Sequence, residues 1–165
     1  MSLKLKLKKA FIMISFVVVI CGFGLQLEGC ATKPPNNVQN VCSIFKEYKV
    51  WYWDAQEVRR RWGLPIYVLM AIIYQESRFR ANAAPPREKI LWIIPWKRPT
   101  SAYGYSQALD GTWKHYKKDT GKHWWNTRDA FGGAADFVGW YVNYAHERAG
   151  VSKTNAYQAY LAYHE

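Results

Sequence analysis

The amino-acid sequence predicts an all-α single domain over residues 38–165, built of about six helices and one long loop that carries Pro and Trp. Three observations support this. From Val38 onward the apolar residues recur at helical spacing. No alternating apolar and polar run is long enough for a half-buried strand, and no Asn-Gly or Asp-Gly turn joins two such runs. Gly63, Gly121 and Gly150 punctuate the chain where helices of ordinary length end.

The first helix is expected over about 38–49. A second starts near Asp54, an N-cap candidate, and Gly63 closes it. Pro65 suits the first turn of a third helix over 66–76, where its missing N–H costs nothing. Ile66, Val68, Leu69, Met70, Ala71, Ile72 and Ile73 leave that helix no solvated face, which predicts a central position. Pro85, Pro86, Pro95 and Pro99 forbid a continuous helix over 83–103, so this stretch reads as a long loop carrying Trp92 and Trp96. A fourth helix is expected over 110–119. A fifth over 128–148 would be capped by Asn126 or Thr127, and its Gly132, Gly133 and Gly139 cost stability unless another element packs closely there. A sixth begins at Asn155 and runs into Glu165, and the pattern breaks off so abruptly that a longer natural C-terminus, with a partner for Cys42, is expected.

Residues 1–29 have the layout of a signal peptide: Lys4, Lys6, Lys8 and Lys9 precede an apolar stretch over 10–24, shorter than a bilayer-crossing helix requires. The run Leu27-Glu28-Gly29-Cys30 resembles the lipobox of bacterial lipoproteins, although Glu28 departs from it. The resemblance implies acylation of Cys30, a polar tether over 30–37, and, with Ala31 after the cysteine, a lipid-anchored place on the periplasmic face of the outer membrane. An ordinary cleavage site with an incidental cysteine is the plainer alternative. Of 23 Lys and Arg and 12 Asp and Glu, four and one lie in the leader, which leaves the remainder at +8. Such a surface favours anionic partners, and an exported protein meets cell wall and lipid head groups before nucleic acid, which is not expected as a partner.

The sharpest chemical signal is Glu76, a carboxylate at the end of the most apolar helix. Desolvation and the negative helix end both raise its pKa, and a carboxylic acid kept protonated is what glycosidic cleavage needs. A plainer reading pairs Glu76 with Arg78 or Arg80 at the protein surface.

Glu76-Ser77-x-Phe79 after an apolar helix, then Gly104-Tyr105-Ser106-Gln107, then Ala162-Tyr163, resembles the transglycosylase SLT domain of lytic transglycosylases from about Leu64 onward. The resemblance implies a lysozyme-like fold and a catalytic acid at Glu76, with Ser77, Gln107 and Tyr163 near the substrate. It also implies a mechanism with one carboxylate that leaves a 1,6-anhydromuramyl end. Tyr105 and Ser106 stand where Leu and Met are usual, and His164 stands where Asn is usual. Trp92, Trp96, Tyr103 and Tyr105 are candidates for a glycan groove, since sugar rings pack on aromatics, while Trp51, Trp53, Trp62, Trp113, Trp124, Trp125 and Trp140 read as mostly core.

A water-using muramidase would want a second carboxylate, for which Asp110, Asp136, Glu147 and Glu165 are unmotivated candidates. His146-Glu147 lacks the second His of a zinc-protease helix, because Gly150 stands there, so neither metal nor cofactor is expected. Arg59-Arg60-Arg61 reads as a solvated helix face. The functional expectation is a peptidoglycan lytic transglycosylase, with a non-catalytic wall-binding lipoprotein and a muramidase as alternatives.

Overall fold

The computed structural model describes residues 33–91, 93–122 and 126–164. The leader, Cys30, Trp92, His123, Trp124, Trp125 and Glu165 lie outside the described residues. Among the described residues six helices run in the order α1 (Val41–Glu47), α2 (Lys49–Trp62), α3 (Ile66–Ser77), α4 (Asp110–Thr120), α5 (Phe131–Ala149) and α6 (Ala156–His164). Between α3 and α4 lies a small antiparallel hairpin, β1 (Lys89–Ile90) with β2 (Ile94–Pro95), in which Ile90 faces Ile94. The described residues include no helix long and apolar enough to cross a membrane.

Several expected boundaries move, each for a local reason. Asn40 caps α1 by accepting from the Ser43 N–H at 3.0 Å, and α1 ends at Tyr48, whose backbone leaves the helical region (φ −119°, ψ 76°). The second helix therefore starts at Lys49, and Asp54 lies inside it as no cap at all. Trp51, Ala55 and Val58, at helical spacing, bury one face across that position, and the packing outweighs the capping preference of an aspartate. The stretch 33–37, part of the expected polar tether, lies against α1: the Asn36 N–H and side-chain amide donate to the Glu47 carboxylate (3.0 and 3.1 Å), and the Tyr48 hydroxyl donates to the Lys33 carbonyl (2.8 Å).

α3 buries Val68, Leu69, Met70, Ile72 and Ile73, and packs against α2, α5 and α6 as a central helix should. It keeps a narrow exposed strip at Tyr67 and Ala71, so the reading of no solvated face was too strong. Pro65 sits just before the first turn, its carbonyl accepting from Val68 and Leu69. α5 starts at Phe131 with Ala130 as its cap, so neither Asn126 nor Thr127 caps it; these two residues instead press on Gly133. Asn155 caps α6 through the N–H groups of Tyr157 and Gln158 (3.1 and 3.2 Å).

The most extensive helix contact is α2 on α5, and the α5 glycines explain it. A methyl group on Gly139 would lie 2.5 Å from Trp62 Cδ1 and 2.7 Å from Val58 Cγ1, and one on Gly132 would lie 2.9 Å from Asp54 Oδ1. The same interface buries Asp136, which accepts from Trp62 Nε1 (2.8 Å) and the Tyr116 hydroxyl (2.6 Å) and faces Lys122 Nζ at 3.2 Å. A buried carboxylate is tolerable only when so satisfied, and here it joins α2, α4 and α5. Trp51 and Trp140 belong to the core as expected, whereas Trp53 is 69% exposed.

Helix propensity favours Gly139→Ala by about 1 kcal/mol, while overpacking costs about 1–3 kcal/mol. Because the added methyl meets an aromatic ring that is itself fixed to Asp136, the variant is expected to be less stable than wild type in thermal or denaturant unfolding.

Candidate active site

Glu76 is the penultimate residue of α3, and the chain turns sharply just after it. Arg78 and Phe79 both adopt left-handed backbone (φ 50° and 58°), with the Arg78 N–H closing the helix onto Tyr74 O at 2.9 Å. Two consecutive non-glycine residues in that region are strained, and the buried Phe79 ring, packed near Trp51 and Tyr74, holds them there. Ser77 is buried and donates its hydroxyl to Ile73 O at 3.1 Å, back along its own helix. It stands beside the acid in sequence but does not line the cavity into which Glu76 opens.

That cavity has a volume of about 480 Å³. Its wall includes Glu76, Gln107, Phe137, Tyr141, Tyr163 and His164, with Thr100 and Thr112 at other points of the lining. Burial raises the Glu76 pKa above the ordinary carboxylate value, and the nearby His164 opposes the shift in part. The pairing with Arg78 or Arg80 is not formed: Glu76 is in no ion pair among the described residues, and Arg80 Nε donates to Ser77 O (3.1 Å) instead.

The three segments singled out in the sequence meet around this acid. The turn over 104–107 is held by Gly104, whose positive φ of 77° and contact with the Arg128 carbonyl leave no room for a side chain. Tyr105 continues the turn by donating its N–H to the same carbonyl (3.0 Å). Gln107 Nε2 donates to Ala83 O and Gly104 O, both at 2.8 Å, so its amide nitrogen braces the turn while the residue lines the cavity. From α6, the Tyr163 hydroxyl donates to Ser106 O at 2.6 Å and so ties the third segment to the second. Burial and the neighbouring Glu76 both keep that phenol protonated.

Tyr105 and Ser106, the two departures from the apolar pattern, are both fully buried. The Tyr105 ring stands edge-on to Trp51 and Phe131 (5.5 and 5.7 Å), so it serves the core and not a glycan groove. Tyr103 pairs with Ala108 in an isolated bridge beneath the Arg128 guanidinium, and Trp96 lies on the hairpin; neither lines the cavity. Of the second-carboxylate candidates, Asp110 pairs with Arg128 at 2.7 Å, Asp136 is the buried node described above, and Glu147 accepts from Asn143.

Sequence reasoning missed the α5 contribution. Phe137 and Tyr141, one helical turn apart, pack on Tyr163 (6.3 and 5.2 Å) and form a cavity wall. Their spacing marks one helix face, but an aromatic pair at that spacing reads equally as core. Thr100 and Thr112 carry no sequence signal.

The family model described as the transglycosylase SLT domain matches residues 17–165, a longer span than the motifs alone suggested. No curated protein and no solved structure matches the chain.

Two outcomes are expected of the acid. Since the folded state raises the Glu76 pKa, ionising it costs stability above that raised value, and the cost disappears below the ordinary carboxylate range. Glu76→Gln is therefore expected to be more stable than wild type at neutral pH, by no more than about 1 kcal/mol at this half-buried, solvent-screened position. The difference should vanish in thermal melts as the pH falls below the unfolded value. His164→Ala removes a neighbour that favours the carboxylate, so the Glu76 titration, followed by NMR of the labelled side chain, should move to higher pH.

Proposed function

We propose what this chain does from one premise: it belongs to the transglycosylase SLT-domain family, whose model spans most of its length. The family carries the lysozyme-like fold, acts on peptidoglycan and is one of lytic transglycosylases. The proposed reaction is cleavage of the bond between N-acetylmuramic acid and N-acetylglucosamine, leaving a 1,6-anhydromuramyl end. Support comes chiefly from one observation: the Glu76 carboxyl opens into the 480 Å³ cavity with its pKa raised by burial.

In the reaction, protonated Glu76 gives its proton to the glycosidic oxygen as the bond to muramyl C1 breaks. The muramyl N-acetyl group helps to stabilise the positive charge on the sugar. The carboxylate so formed takes the proton from the muramyl C6 hydroxyl as that oxygen bonds to C1, which returns the acid to its starting state. No water is consumed and one carboxyl serves both steps. Among the described residues lining the cavity Glu76 is the single carboxylate, which favours this route over a hydrolase that needs two. The burial of Tyr105 and Ser106 weakens the non-catalytic reading, because those two departures fall in the core, while the third, His164, lines the cavity with Glu76. Acylation at Cys30 and a place on the periplasmic face of the outer membrane belong to the same proposal and rest on the sequence layout.

Digestion of purified peptidoglycan, with mass spectrometry of the released fragments, tests the reading. Wild type is expected to release anhydromuramyl products, and Glu76→Gln to lose about 10²–10⁴-fold in rate, the usual contribution of a general acid. Reducing-end products would assign a muramidase, and binding without release would assign a wall-binding protein.

A further inference from the structure

The segment between α3 and α4 projects from the domain as an apolar hairpin. Apart from Trp92, which lies outside the described residues, every residue from Pro86 to Ser101 is exposed, on both faces of the two strands. Leu91 is 75%, Ile93 80% and Trp96 53% exposed, with Ile90 and Ile94 beside them. From 90 to 96 the sequence reads Ile-Leu-Trp-Ile-Ile-Pro-Trp, without a hydroxyl, amide or charged side chain. Arg87 and Lys89 precede this tip and Lys97 and Arg98 follow it, against one acid, Glu88. Among the described residues none of the four cations forms an ion pair.

The base of the hairpin is well defined. Glu88 and Trp96 exchange backbone contacts with each other's strand (Trp96 N–H to Glu88 O, 2.6 Å; Glu88 N–H to Lys97 O, 3.0 Å), and Arg98 donates to Pro85 O at 2.7 Å. An isolated two-stranded hairpin is marginal in water, and an exposed apolar patch of this kind marks an interaction surface. We propose that the hairpin is a membrane-docking element that inserts its apolar tip among the acyl chains of an anionic bilayer while the four cations contact lipid phosphates. Ile and Leu side chains at the tip, Trp96 toward the base and a collar of Lys and Arg match the layers of a lipid interface. Glycan is a poorer fit: Trp96 can pack on a sugar ring, but the Ile and Leu side chains around it offer the sugar hydroxyls no hydrogen bond. The chain leaving the hairpin passes directly to Thr100 and Ala102 in the cavity wall, so docking would hold the acid's cavity beside the bilayer. This inference does not depend on the reaction proposed above.

The test uses residues 31–165, a compact unit that contains the entire core, and therefore lacks the apolar leader. In flotation assays it is expected to bind vesicles of phosphatidylglycerol and phosphatidylcholine in equal parts, and to bind phosphatidylcholine alone far less. Brominated acyl chains should quench its Trp emission. Leu91→Ser with Ile93→Ser should lower partitioning by roughly tenfold or more, with an unchanged melting temperature because neither side chain belongs to the core. Lys89→Gln with Lys97→Gln, which leaves Arg87 and Arg98, should reduce the preference for anionic lipid several-fold. Glu76→Gln should bind as wild type does, which keeps this test separate from that of the reaction. Equal binding by the Leu91 and Ile93 variant, or no binding by wild type, overturns the proposal. So does self-association in the absence of lipid that the same variant abolishes, or loss of glycan binding with vesicle binding retained.

Discussion

The close approach of α2 and α5 is the constraint to which the rest of the fold is referred. It exists because α5 has no side chain at Gly132 and Gly139, where Asp54, Val58 and Trp62 press in. Each glycine gives up about 1 kcal/mol of helix propensity relative to alanine. In return Trp62 comes close enough to α5 to donate to Asp136, and Tyr116 of α4 reaches the same carboxylate. With that face of α5 occupied, Phe137 and Tyr141 are left for the cavity and for Tyr163. One interface thus sets both the core and the wall opposite the acid.

The candidate site stood out in the sequence where it embodied an energetic conflict. A carboxylate at the end of a helix as apolar as α3 contradicts its surroundings, and such contradictions tend to be functional. The Gly104 turn was singled out by resemblance alone, and it took the structure to show why glycine stands there, at a positive φ against a carbonyl. What could not be read was anything decided by tertiary packing. Ser77 adjoins the acid in sequence, but its position on α3 turns it into the core. Phe137 and Tyr141 have the spacing of ordinary core residues, and only their contact with α6 distinguishes them.

Boundaries failed where local preference met burial. Asp54 has the right chemistry for a cap but lies on a face that Trp51, Ala55 and Val58 commit to helix. The hairpin escaped notice because strands of two residues show no period, and because four prolines around it signal only the absence of helix. Tyr105 shows the converse. A polar-looking departure in a motif proved to be a core aromatic packed on Trp51 and Phe131, behind the turn and outside the cavity lining.

The contacts that fasten residues 33–37 to α1 govern reach. Under the proposed acylation of Cys30, with Lys33 and Asn36 fixed, the anchor would act through three residues, which extend to no more than about 11 Å. Under that proposal the domain has almost no radius of its own, and lengthening the chain at this one place would extend its reach without changing a residue of the cavity.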